Sequence, residues 1–393
     1  MSLRLLTAGE SHGPALLAIL EGMPAGLSLS EAVIDAQLAR RQRGLGAGPR
    51  MKLEMDRVRI LSGVMEGKTI GSPIAISIEN RDHVRWAGKE IPPLTTPRPG
   101  HADLSAAVKY GYDDLRPSLE RASARETAAR VAVGAVCRQF LEEFGIRLGG
   151  YVVSIGKVQA DLDGIPLEQR WTLAEQNDVR CPDPKASVAM DQEIRAAMSA
   201  RDTLGGVIEV VALGVPAGLG SHVQADRRLD ARLGAAMLGV PAIKGVEIGE
   251  AFSLAHRMGT EAQDAIRLKG TAVTRPTIRD GGTEGGISTG QPLVLRAAMK
   301  PIATTLTPQP TVDLAAGKET PAVYERSDFC PVPRAVPILE AVVGIVLAEA
   351  LLEKLGGDSL DEMKPRLTAL RQPRLEDLPM AGRAHKFWPA VDD

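Results

Sequence analysis

An α+β fold is what this 393-residue chain predicts, and three observations carry the prediction. Hydrophobic residues make up 44% and charged residues 24%, the balance of a folded chain with a sizeable core. Strand-like and helix-like segments are mixed without the regular βαβ alternation of a doubly wound sheet. Neither an internal repeat nor a low-complexity tract nor a Ser/Gly linker divides the chain. Residues 1–360 therefore read as one interwoven domain and 361–393 as a carboxyl-terminal tail.

The elements follow in order. A short apolar strand opens the chain before Gly9. Ser30 caps a helix carrying Val33, Ile34 and Leu38, which finishes in Arg40, Arg41 and Arg43, where the helix dipole favours cations. A glycine-rich loop spans 44–50, and strands are expected at 58–61 and 73–78. Pro, Gly and Asp are frequent through 88–120, which is expected to be largely loop and hence a place for function. Ser123 and Glu126 have capping-box spacing, opening a helix that carries Val131, Val133, Val136, Phe140 and Phe144 to a stop at Gly145. Strands are expected at 152–155, 206–213 and 292–297, and helices at 192–200 and 227–238. The last strong helix, 338–355, ends at Gly356 and Gly357 after the proline-rich segment 326–334. Its apolar stretch is flanked and broken by Glu340, Glu349 and Glu353, the pattern of a buried helix rather than a membrane span.

Composition removes several classes of function. A net charge of −2 lacks the basic field of a duplex binder, and 3% aromatic residues argue against a base-stacking surface, so no nucleic-acid partner is expected. The first ten residues lack a signal-peptide pattern. Cys137, Cys181 and Cys330 are far apart, as reduced cytoplasmic thiols would be, and no residues have zinc-ligand spacing, so no metal is expected.

Candidate chemistry concentrates in a few segments. Residues 121–130 place Arg121, Arg125 and Arg130 where a helix begins, a site suited to phosphate or carboxylate, although an amphipathic helix with solvated arginines is the more ordinary reading of this segment alone. His12 lies in Gly9-Glu-Ser-His-Gly13, and His101 in Arg98-Pro-Gly-His-Ala-Asp103; each suits proton transfer or a structural turn. Asp328 suits a base, a hydrogen-bond orienter or a helix cap. The glycine-rich 281–286 and 44–48 stretches and the cation and hydroxyl of Lys300-Pro-Ile-Ala-Thr304 suit phosphate contacts, but neither glycine stretch has Walker or Rossmann spacing.

Taken together and in this order, the segments at 9–13, 98–103, 121–127, 244–249, 285–288, 300–301 and 326–333 resemble the signatures of the chorismate synthase family, over residues 3 to about 357. The resemblance implies a β-α-β sandwich with helices between outer antiparallel sheets, assembled as a homotetramer. It implies the 1,4-elimination of phosphate from 5-enolpyruvylshikimate-3-phosphate to chorismate, dependent on reduced FMN and without net redox change. The substrate bears two carboxylates and a phosphate, natural ligands for arginine forks.

By the same resemblance, Arg41, Arg50, Arg98, Ala124 and Arg125 surround the substrate or NADP. Arg121, Ala122, Ser123, Pro241, Ala242, Gly285, Lys300, Pro301, Ile302, Ala303, Thr304 and Arg326 match positions that touch FMN. His12 corresponds to the acid for the departing phosphate, His101 to a proton source that stabilises the reduced flavin, and Asp328 to the carboxylate that works with flavin N5 in taking the substrate proton. Two departures stand out: Ala47 occupies a loop position where the family usually has arginine, and Pro241 one where an amide side chain is frequent. Two rivals follow, a bifunctional enzyme that reduces flavin with NADPH itself and a flavin-binding paralogue without turnover. The missing loop arginine disfavours the first and the retained His12, His101 and Asp328 the second. A separate cytoplasmic flavin reductase is the expected partner.

Overall fold

The computed structural model describes residues 3–46, 55–325 and 327–384. Ala47, the expected substrate contact Arg50 and the expected flavin contact Arg326 lie outside the described residues. An amino-terminal antiparallel sheet contains β1 (Arg4–Ala8), β2 (Ala15–Glu21), β3 (Val58–Ile60) and β6 (Ile74–Glu79) in the order β1-β2-β6-β3, with the small hairpin β4 (Val64–Met65) and β5 (Lys68–Thr69) between. Strand alternation sorts its faces: Leu16, Ala18 and Leu20 of β2 and Ile74, Ile76 and Ile78 of β6 are buried, while Leu17 and Ile19 point outward. The intervening helix α1 (Glu31–Gln42) buries Ile34 and Leu38, as its spacing predicts, and also buries Arg41.

Between residues 88 and 120 two helices form where loop is expected, α2 (Asp103–Tyr110) and α3 (Arg116–Arg121). The reason is local. Gly111 at φ +69° closes α2 in the left-handed conformation that glycine tolerates, and Pro117 sits in the first turn of α3, where its missing N–H costs nothing. Helix α4 (Thr127–Glu142) follows a short turn at 124–126. Ser123 Oγ accepts from the Arg125 N–H, but Glu126 pairs with Arg130 one turn on instead of reaching back, so half of the expected capping box forms.

The second sheet is antiparallel in the order β10-β15-β9-β7-β8, built from β7 (Arg147–Ile155), β8 (Val158–Gln159), β9 (Gly206–Leu213), β10 (Ile243–Ile248) and β15 (Leu293–Met299). Helices α5 (Leu167–Ala174) and α6 (Pro184–Ser199) fall between β8 and β9, and α7 (Leu229–Leu238) precedes β10. Short elements decorate the chain after it: α8 (Ala251–Leu254), α9 (Gly259–Ala262), and the hairpins β11 (Arg267–Lys269) with β12 (Ala272–Thr274), β13 (Thr283–Glu284) with β14 (Ile287–Ser288), and β16 (Pro310–Asp313) with β17 (Lys318–Pro321).

Helices α1, α4, α7 and α10 (Val332–Leu355) fill the space between the sheets, which is the predicted sandwich. Glycine lets the two longest approach: a Cβ on Gly134 of α4 would stand 2.3 Å from Ala341 Cβ of α10. Helix α10 is mainly apolar and mostly buried, so its length and hydropathy mark a core helix. It starts six residues before the expected position, and Pro337 interrupts its ladder by withholding a donor from the Pro333 carbonyl. Arg180 Nη1 supplies that donor at 2.6 Å. Past residue 360 the chain continues in α11 (Leu360–Thr368), which buries Leu360 and Met363.

Candidate active site

The loop between β1 and β2 carries His12 and rests on the end of α3. The Glu120 carboxylate accepts from the His12 backbone N–H at 2.7 Å through Oε2 and meets the ring Nδ1 at 2.7 Å through Oε1. Burial alone would raise the Glu120 carboxyl, but the hydrogen bonds from the His12 ring and backbone outweigh it and hold the group below the usual carboxylate range. Trp86 packs on the ring at a centroid distance of 5.0 Å, and Ser123 Oγ reaches Ser11 Oγ at 3.2 Å. Arg121 is exposed and donates to Thr7.

Asn80 joins this loop to the arginines. Its side-chain amide donates to Glu10 O and Gly13 O, and its Oδ1 accepts from Arg125 Nε at 2.9 Å. Arg125 Nη1 then donates to Asp56 Oδ1 at 2.6 Å, while Arg41 Nη1 lies 3.7 Å from Asp56 Oδ2 and its other donors reach Thr127 Oγ1 and Ala124 O. Arg334 Nε donates to Arg41 O at 3.2 Å, and its Nη1 pairs with Asp328. Among the described residues, three largely buried guanidiniums thus share two carboxylates. Burial and repulsion from Arg334 pull the Arg41 pKa down to about 9, against the attraction of Asp56. A guanidinium keeps its charge at ordinary pH, so the cluster suits an anionic ligand. Buried Arg125 Nη2 has no hydrogen-bond partner among the described residues, which leaves a donor for one.

His101 sits in a second cluster. Asp103, fully buried, accepts from Arg98 Nε at 2.8 Å and from the Arg98 backbone at 3.0 Å, and lies 2.7 Å from His101 Nδ1. Burial opposes ionisation there, but the hydrogen bonds from His101 and Arg98 hold the Asp103 carboxyl far below its usual range. Arg98 therefore spends its fork on Asp103. Lys300 Nζ donates to Gly100 O at 2.7 Å, which ties the His101 loop to the 300–304 segment, and Ser327 Oγ donates to Thr304 O at 2.9 Å, which brings that segment to Asp328.

The remaining flavin candidates divide. Arg130 Nη1 donates to Gly239 O at 2.8 Å, drawing the turn with Pro241 and Ala242 toward α4, and Lys300 N–H donates to Ala242 O at 3.0 Å. Ala242 holds φ +68°, an uncommon conformation for a residue with a side chain. Ser123, Ala124, Ala242, Lys300 to Thr304 and Asp328 therefore belong to one hydrogen-bonded surface. Gly285 lies in the β13–β14 turn, and among the described residues no hydrogen bond joins it to these. Sequence reading missed Asp56, Asn80, Glu120 and Arg334. Glu120 and Arg334 bordered or lay in quoted motifs; Asp56 and Asn80 lay in none.

The chorismate synthase family model matches residues 3–352. Chorismate synthase from Trichlorobacter lovleyi is 53% identical over 379 residues, covering 92% of this chain and 97% of its own. That from Desulforudis audaxviator is 52% identical, covering 92% and 95%. A crystal structure of chorismate synthase superposes with a TM-score of 0.78 at 45% identity, covering 94% of this chain and 97% of the other. With these matches running the length of the sandwich and through each segment of the site, the chain belongs to the chorismate synthase family of carbon-oxygen lyases.

Proposed function

We propose that this chain converts 5-enolpyruvylshikimate-3-phosphate to chorismate and inorganic phosphate, and that the residues joined above form the site. The observation that carries the reading is the buried trio Arg41, Arg125 and Arg334, which among the described residues pairs with Asp56 and Asp328 and leaves Arg125 Nη2 without a hydrogen-bond partner. A substrate with two carboxylates and a phosphate is the anion such a site suits.

The residues also fit FMN: the Ser123 turn, the left-handed Ala242 and the Lys300 ammonium combine backbone groups, a hydroxyl and a cation on the same surface. Reduced FMN, when bound, supplies electron density to the allylic system as the carbon–oxygen bond to phosphate breaks. His12 donates a proton to the departing phosphate oxygen. Asp328 accepts the ring proton whose electron pair forms the new double bond, and Arg334 beside it stabilises the carboxylate between turnovers. His101, held by Asp103, keeps a proton available toward the cofactor.

Supply of reduced FMN falls to a separate cytoplasmic reductase, since Ala47 leaves the loop short of the arginine that a nicotinamide phosphate would use. Assembly as a homotetramer is supported by the outward apolar stripe of Leu6, Leu17 and Ile19 on the first sheet. The test is single-turnover chorismate formation with chemically reduced FMN under anaerobic conditions. Asp328→Asn should retain substrate and FMN binding while turnover falls by about 10² or more, the scale of a lost general base. Wild-type turnover in that variant would remove Asp328 from the reaction.

A further inference from the structure

We propose that Glu120 is a positioning residue of the reaction, one that fixes the tautomer of His12 and couples its proton transfer to a carboxylate charge in direct contact with the ring. The inference rests on the reading of His12 as the acid for the departing phosphate. An ionised carboxylate only accepts hydrogen bonds, so its 2.7 Å contact places a proton on Nδ1 and leaves Nε2 as the nitrogen that exchanges protons with a ligand. The second carboxylate oxygen takes the His12 backbone N–H at the same distance, which locks the loop and the ring to one group on α3.

His101 offers the internal comparison. Its Nδ1 also meets a carboxylate at 2.7 Å, but Arg98 is bonded to both oxygens of that Asp103 and neutralises it. No such fork binds Glu120 among the described residues. Its nearby cation is Arg116, one turn earlier on α3, which acts through space. The 81–85 turn packed on the other side carries Asp82, His83 and Arg85; Asp82 and Arg85 pair with each other, and His83 Nδ1 meets the His12 carbonyl. Among the described residues, Glu120 is the carboxylate in direct contact with the ring. Its charge favours a proton held on the ring, the form from which phosphate departure draws a donor.

The test compares wild type, Glu120→Gln, Glu120→Asp and His12→Ala in pH profiles of single-turnover chorismate formation, with substrate affinity measured in parallel. Glutamine offers one oxygen for two donors and no charge. In Glu120→Gln the alkaline limb should move down by about one pH unit or more, with turnover at pH 8 lower by about tenfold, affinity within about twofold of wild type, and activity converging with wild type in acid. Glu120→Asp keeps the charge at longer reach and should shift the limb less, and it serves if the glutamine variant does not fold. An inactive His12→Ala beside an unmoved limb in both Glu120 variants would overturn the role of Glu120 alone. A fully active His12→Ala would overturn the reading of His12 itself.

Discussion

Replacing Arg180 with methionine tests whether one guanidinium, far from the reacting atoms, sets the geometry of the arginine site. Arg180 is 1% exposed and lies between the end of α1 and the start of α10. Its donors reach Pro333 O and Arg40 O at 2.6 Å, Arg43 O at 3.1 Å and Glu175 Oε1 at 3.0 Å. The Arg40 carbonyl retains the Arg43 N–H at 3.3 Å, but Pro333 O faces a proline and Arg43 O has no other donor among the described residues. The buried Pro333 carbonyl and the partly buried Arg43 carbonyl then lose their donor, at about 1–3 kcal/mol for a buried group and less for the other. Relief from burying a charge offsets part of this, since desolvation lowers the Arg180 pKa despite Glu175, and a net loss of about 3 kcal/mol remains. An unfolding entropy of about 0.8 kcal/mol/K for a chain of this size converts that to a fall in Tm of about 4 °C. Because Arg41 and Arg334 sit on the two segments Arg180 joins, single-turnover chorismate formation should fall by about 10-fold to 10² as well. Differential scanning fluorimetry and the anaerobic assay read both. A Tm within about 1 °C of wild type with unchanged turnover would refute the reasoning.

Two further perturbations probe the core. Gly134→Ala places a methyl 2.3 Å from Ala341 Cβ and 2.6 Å from its Cα, so α4 and α10 must separate; urea unfolding should show a loss of about 1–3 kcal/mol, and wild-type stability would mean that the helices adjust freely. Glu340, 3% exposed, opposes ionisation by burial, but Arg40 and Arg138 prevail and hold its pKa at about 2 against an ordinary 4.5. A depressed carboxyl contributes its stability above pH 4.5 and loses it as pH falls toward 2. Acid titration of the urea midpoint should lose about 3 kcal/mol over that window, and Glu340→Gln, less stable at neutral pH, should lack that slope. Equal slopes in the two proteins would assign the acid sensitivity to other carboxylates.

What the sequence disclosed and what it withheld divide by the range of the interaction. Strand β9 occupies the residues its apolar run predicts, and Ile34 and Leu38 lie inward, because alternation and helical spacing are local consequences of which face is buried. The His101 cluster is partly legible for the same reason: Arg98 and Asp103 lie five residues apart, so their pairing stays within one turn. Glu120 and His12 are 108 residues apart, and Arg180 reaches a carbonyl 153 residues away. Periodicity and capping rules cannot see such pairs, since each partner alone reads as an ordinary surface charge. Three partners of Arg180 are backbone carbonyls of the segments that carry Arg41 and Arg334, and a carbonyl leaves no mark in sequence. Pro337 is the exception that gives a signal. A proline inside a strongly apolar helix orphans the carbonyl four residues earlier, and a buried helix must find that group a donor. The proline therefore announces that some donor is needed at Pro333, although only the fold shows that Arg180 provides it and thereby binds the two arginine-bearing segments together.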